Sequence, residues 1–189
     1  MDFGDDIKSA VDTLRKGGVI LYPTDTIWGL GCDATLDSAV EKIFSIKNRD
    51  SAKSLIVLVS SINMLERYVS AIPEAALSIL EVSDSPVTII YPRGRNLAGG
   101  VCSADGSVGI RLCNDEFCNE LITRFRKPIV STSANPGGMN PPGNFDEIDQ
   151  SIIRSADYVV RHRQDDRGVC SPSPIIKIDM DGVFRIIRK

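Results

Sequence analysis

The chain has 189 residues, 42% of them hydrophobic and 25% charged, with a net charge of −3. That length and balance point to one globular domain, taken as residues 1–189, and exclude disordered, collagen-like and disulfide-stapled classes. The small negative charge argues against a broad surface that tracks nucleic-acid phosphates, while leaving room for a local basic patch.

The predicted elements alternate. DDIKSAVDTLRK, residues 5–16, carries apolar residues at 7, 10, 11 and 14, with acids in its first turn, and is expected to be a helix stopped by Gly17-Gly18. VILY at 19–22 is a short buried strand ending at Pro23. YPTDTIWGLGCDA, 22–34, is expected to be a tight loop over a sheet edge, because of its glycines and its strand–proline boundary. DSAVEKIFSIKN, 37–48, is a helix capped by Asp37 or Ser38. SLIVLVS, 54–60, is a strand, and 61–81 hold helices interrupted at Pro73. VTIIY at 87–91 and VGIRL at 108–112 are strands, and DEFCNELITRF is a helix opened by Asn114 or Asp115. PIVSTS, 128–133, is a strand running into a glycine and proline loop. A short helix near 147–154 and strands near 157–160, 174–178 and 183–187 complete the chain. This order implies an α/β fold around a mixed sheet.

The five cysteines, Cys32, Cys102, Cys113, Cys118 and Cys170, have no paired CxxC spacing and are expected as reduced thiols. The N-terminus has no apolar h-region and no window nears 18 continuous apolar residues, so a cytoplasmic protein with no membrane partner is expected. There is no P-loop and no Rossmann glycine fingerprint. The one histidine, His162, lies in RHRQDDR and is expected to be a solvated loop residue.

Three stretches can carry chemistry. Thr24, Asp25 and Thr26 place short oxygen-bearing side chains together, either as a structural turn or as the polar wall of a pocket. In KNR, Lys47 and Arg49 follow a helical pattern. They either complement the helix dipole or, in an extended exit segment, point the same way toward phosphate oxygens. In PIVSTSAN, Ser131, Ser133 and Asn135 alternate beyond a strand, where ligands of α/β sheets tend to bind.

Taken together, GGVILYPTDTIWGLGCDA, KIFSIKNR with SLIVLV, VGIRL, PIVSTSAN and SPSPIIKI with VFR resemble the YrdC family, the L-threonylcarbamoyladenylate synthases. The hallmark KxR and SxN are Lys47, Arg49, Ser133 and Asn135. The resemblance spans nearly the whole chain. It implies a twisted, mostly mixed open sheet with helices around a concave pocket. It also implies a nucleotidyltransferase that joins L-threonine, bicarbonate and ATP, with Mg2+, into threonylcarbamoyl-AMP and pyrophosphate. That product serves threonylcarbamoylation of tRNA adenosine 37, with partner proteins performing the transfer. An alternative is a non-catalytic module binding double-stranded RNA or tRNA. By the same resemblance, Lys47, Arg49, Ser133 and Asn135 are catalytic and contact ATP, as does Arg185. Thr24, Arg111, Ser131 and Ser173 contact the amino acid. Lys47 and Arg49 are expected at the pocket rim, where alanine would cost little stability. The chain departs from the family pattern in DSPVT, in PSPIIK and in the residues after Arg185.

Overall fold

The computed structural model describes residues 3–48, 55–168 and 170–189. Helix α1 (Gly4–Arg15) buries Ile7, Ala10, Val11 and Leu14, the stripe that its spacing predicts. It stops where Gly17 takes a φ of 70°, a conformation costly for a residue with a side chain. Buried Asp6 ties the start of α1 to a distant loop. It accepts from the Tyr158 hydroxyl at 2.6 Å and from the Arg161 and His162 amides at 3.1 and 2.8 Å.

The other helices are α2 (Asp37–Lys47), α3 (Ile62–Tyr68), α4 (Glu74–Val82), α5 (Glu116–Phe125) and α6 (Gln150–Ser155). Pro73 stands at the N-cap of α4, which explains the interruption. Asp115 caps α5 by accepting from the Cys118 amide at 2.9 Å. The α2 cap differs from expectation. Leu36 occupies it without a side-chain bond, and Asp37 instead accepts from the Gly99 amide at 2.7 Å.

The strands are β1 (Ile20–Tyr22), β2 (Gly29–Asp33), β3 (Ile56–Val59), β4 (Thr88–Tyr91), β5 (Val108–Leu112), β6 (Ile129–Ser133), β7 (Tyr158–Val159), β8 (Ile175–Ile178) and β9 (Phe184–Arg188). They form one sheet in the order β7-β1-β2-β6-β3-β5-β4-β8-β9. Pairing is parallel for β1–β7, β3–β5 and β4–β8, and antiparallel for the rest, so the sheet is mixed as expected.

Strand β2 corrects the sequence expectation of a loop across 22–34. GLGCD is fully buried and pairs with both β1 and β6. Glycine usually weakens a strand interior, but here it permits close approach. A Cβ on Gly31 would stand 2.6 Å from Tyr22 Cε1 and 2.9 Å from the Val130 carbonyl oxygen. The turn lies only in the TDT segment before the strand.

Among the described residues, no helix is long and apolar enough to cross a membrane. Cys32, Cys113 and Cys118 are buried free thiols, Cys102 is half-buried and Cys170 is exposed. His162 is not simply solvated. Its ring lies 5.3 Å from Phe117 in a stacked arrangement and 5.1 Å from Phe3.

Candidate active site

Strand register builds the floor of a pocket from alternate residues. Gly29 and Gly31 of β2 face Ser133 and Ser131 of β6. Ile56 of β3 lies between Ser131 and Gly109 of β5. Arg111 faces Thr88 of β4, Thr88 faces Ile175 of β8, and Ile175 faces Arg188 of β9. Directly paired residues of adjacent strands share a sheet face, so this row forms one surface of glycines and hydroxyls around two arginines. The pocket has a volume of about 330 Å³. Thr24, Thr26, Trp28, Pro172 and Ser173 contribute to its walls.

Arg111 is the organising cation. Its Nη1 donates to Ser173 Oγ at 3.3 Å and its Nη2 to Thr24 Oγ1 at 3.4 Å. Ser173 Oγ also bonds Thr88 Oγ1 at 2.8 Å, which gives the threonine of DSPVT a place in the site. Arg111 Nη2 lies 2.8 Å from Asp25 Oδ1, with side-chain exposures of 5% and 7%. Burial works against both charges. At Arg111 the Asp25 carboxylate offsets it and the guanidinium remains a firm cation; at Asp25 burial outweighs Arg111, and the carboxyl is pushed up from its ordinary range.

The Thr24 hydroxyl also has a local task. It donates to the Ile27 carbonyl at 2.8 Å and accepts from the Thr26 amide at 3.1 Å. The structural turn and the polar wall are therefore one and the same. Thr24, Arg111, Ser131, Ser133 and Ser173 all come together at the pocket.

Lys47, Ser133 and Asn135 form a second cluster, remote in sequence and joined in space. Lys47 Nζ donates to the Ser133 carbonyl, and reaches Ser133 Oγ at 3.4 Å and Asn135 Oδ1 at 3.5 Å. Two expectations change here. Lys47 is the last residue of α2 rather than part of an extended exit, and Asn48 follows it with a φ of 44°. Lys47 is also 2% exposed rather than at a rim. Arg49 lies outside the described residues. Asn135 turns away from the line of β6 and donates to the Pro136 and Met139 carbonyls at 2.8 and 2.7 Å, bracing the loop that follows. That loop closes on α2, where the Gly137 amide donates to the Lys47 carbonyl at 2.8 Å.

Arg185 is a further correction. It faces Lys177 across the β8–β9 hairpin, is exposed, and does not line the pocket. A register shift between Ile175 and Ile176 brings Arg188 to the pocket instead. Arg188 donates through Nε and Nη2 to the Ser173 carbonyl at 3.0 and 2.7 Å. Burial, and then the charge of nearby Arg111, lower its pKa from the usual guanidinium value. RIIR carries two arginines three residues apart; Arg185 pairs with Lys177, and the register shift sets Arg188 rather than Ile187 opposite Ile175. Asp25 was visible inside TDT as a polar residue, but its pairing with Arg111 needed the fold.

The fold and pocket define an open-sheet α/β protein with a pocket lined by hydroxyl side chains and two arginines. A sequence profile of Sua5, YciO and YrdC, described as telomere recombination, matches residues 12–189. The chain is 33% identical over 172 residues to the threonylcarbamoyl-AMP synthase of Stenotrophomonas maltophilia (strain K279a), covering 89% of this chain and 91% of that protein. It is 38% identical over 135 residues to the threonylcarbamoyl-AMP synthase of Saccharophagus degradans, covering 71% of each. P. abyssi Sua5 complexed with L-threonine superposes with a TM-score of 0.79 at 25% identity; the match covers 91% of this chain and 50% of that one, so this chain spans about half its length. E. coli YciO shares the fold, with a TM-score of 0.81 at 22% identity over 97% of this chain and 88% of that one. The chain belongs to the Sua5/YciO/YrdC family.

Proposed function

We propose that the protein is a threonylcarbamoyl-AMP synthase, making threonylcarbamoyl-AMP and pyrophosphate from L-threonine, bicarbonate and ATP. The observation that carries this is the convergence of Thr24 and Ser173 on Arg111, beside Ser131 and Ser133 in one pocket. A guanidinium fork with hydroxyls around it suits a small hydroxylated carboxylate. The names of the relatives above support the same substrate.

In this reading the free amine of L-threonine takes up bicarbonate, forming the N-carboxylate and releasing water. A carbamate oxygen then attacks the α-phosphorus of ATP. The bond from that phosphorus to the bridging oxygen breaks and pyrophosphate leaves. The protein contributes positioning and charge neutralisation. Arg111 orients the carboxylate. Arg188, rather than Arg185, adds positive charge to the pocket beside Ser173. Ser133 and Asn135 shape the nucleotide wall, and buried Lys47 holds both in place. Arg49 retains the ATP-contacting role implied by the KxR motif.

Mg2+ belongs to the reading as a companion of ATP. Among the described residues, no three His, Cys, Asp or Glu side chains converge to hold an ion. A Mg2+ held mainly by phosphate oxygens and water needs no such cage. It would neutralise phosphate charge as the nucleotide arrives.

The product would pass to partner proteins that modify tRNA adenosine 37. The test is pyrophosphate release from purified protein with ATP and Mg2+. Release that requires both L-threonine and bicarbonate is expected. No release from protein that binds ATP overturns the synthase and brings forward the RNA-binding alternative.

A further inference from the structure

Exposed apolar side chains are not spread evenly over this chain. Among the described residues, eight large apolar side chains are exposed, and five of them, Met180, Val183, Phe184, Ile186 and Ile187, lie in the β8–β9 hairpin. Strand β9 ends the sheet, and among the described residues it pairs only with β8. Its outer edge therefore presents backbone N–H and C=O groups between exposed apolar side chains. Edges of that kind are usually shortened, covered or broken up by charge, because they recruit another strand.

The strand register shows how the patch arises. Val57, Ile110, Ile89, Ile176 and Ile186 are paired in turn across β3, β5, β4, β8 and β9. Paired residues share a sheet face, so this is one apolar row. Val57, Ile110 and Ile89 are buried, Ile176 is half-buried and Ile186 is 56% exposed. Beside that row, Ile178 is buried while its partner Phe184 is 59% exposed. The core thus runs out to the edge of the sheet and stops uncovered. An apolar patch of this kind marks an interaction surface.

Charge selects the occupant. The turn before β9 holds Asp179 and Asp181, whereas β9 and the residue after it carry Arg185, Arg188 and Lys189. A second copy laid parallel would set cation beside cation. Laid antiparallel, the cationic end of each copy approaches the acidic turn of the other. About a two-fold axis at Ile186, that residue meets its own counterpart, Arg185 meets Ile187 and Lys189 meets Val183, so no two cations are directly opposed. An axis at Arg185 would oppose two arginines, and one at Ile187 would oppose Arg185 to Lys189.

We propose that two copies of this chain pair antiparallel through β9 about Ile186, joining their sheets into one. The inference is independent of the reaction in the pocket. The surface nevertheless adjoins that site, because Ile187 and Arg188 line the pocket. One strand edge and a few side chains make a small interface, so the dimer is expected to be weak and reversible.

The test is sedimentation velocity of the intact chain from about 1 to 300 μM, the range in which small interfaces dissociate. A monomer–dimer equilibrium is expected. Ile186→Lys and Ile186→Glu each oppose like charges at the axis, and each should weaken the dimer about tenfold or more. Mixed in equal amounts, the two variants should dimerise again, since lysine then meets glutamate. Ile186 is exposed, so both variants are expected to keep the wild-type melting temperature. Should either fail to fold, Phe184→Ser removes apolar surface beside the axis and should weaken the dimer too. A wild-type chain that stays monomeric at the highest concentration overturns the inference and leaves the edge to a strand of a different protein. A dimer that survives these substitutions, or a mixture that stays monomeric, overturns it equally.

Discussion

Lys47 donates through Nζ to the backbone carbonyl of Ser133, a residue 86 positions away. That bond anchors the C-terminus of α2 to the end of β6, and with it the loop that opens at Asn135. Lys47→Ala should therefore lower stability as well as nucleotide binding. Losing a hydrogen bond to a charged group costs about 1.5–3 kcal/mol. Scanning calorimetry of the variant measures it. An unchanged melting temperature would show that the ammonium is not a structural tie.

Two glycines of the sheet, one packed against Tyr22 and one lining the pocket, should answer differently to alanine. Gly31→Ala drives a Cβ to within 2.6 Å of the Tyr22 ring and 2.9 Å of a backbone oxygen, so something must shift. Overpacking of that kind costs about 1–3 kcal/mol. At Gly109 the nearest atoms would be 3.5–3.9 Å away, an ordinary contact. Gly109→Ala should keep its stability but narrow the site, raising the KM for substrate. Denaturant unfolding and steady-state kinetics on both variants separate the two effects.

The two arginines of RIIR should separate cleanly in activity. Arg188→Gln is expected to reduce pyrophosphate release about tenfold or more, as the loss of a charge-assisted contact to an anion would. Arg185→Gln should stay within about twofold, because an exposed surface charge contributes little. Equal effects would show that the register of β9 differs in the working protein.

His162 gives a pH dependence whose direction follows from its surroundings. Burial, and then the charge of Arg163, lower its pKa from 6.5. The unfolded chain therefore takes the proton more readily than the folded one. Stability from this group is whole above pH 6.5 and is lost as the pH falls through the lowered value. Melting temperatures measured from about pH 7.5 down to about pH 5.5 should decline, and His162→Gln should flatten that decline. An identical slope in the variant would remove His162 as the cause.

Periodicity and turn chemistry sufficed for most elements. The stripe of α1 and the apolar runs of β3, β4 and β5 are local facts, written in neighbouring residues. The caps were less legible, since Asp37 found a partner in Gly99, 62 residues away. Strand β2 was hidden because glycine reads as turn until Tyr22 and Val130 are seen to need the space.

The same division runs through the site. The sequence by itself determined the kinds of groups present: hydroxyls in YPTDT and PIVSTSAN, an amide in SAN, and cations in KNR, VGIRL and RIIR. Their type and order suffice for the family. The tertiary structure alone decided their roles. It buried Lys47, set Asp25 against Arg111, and put Arg188 rather than Ile187 opposite Ile175 by a single register shift. Burial and strand register depend on residues far apart in the chain. They also set the local dielectric and the direction of each side chain, which no local pattern records.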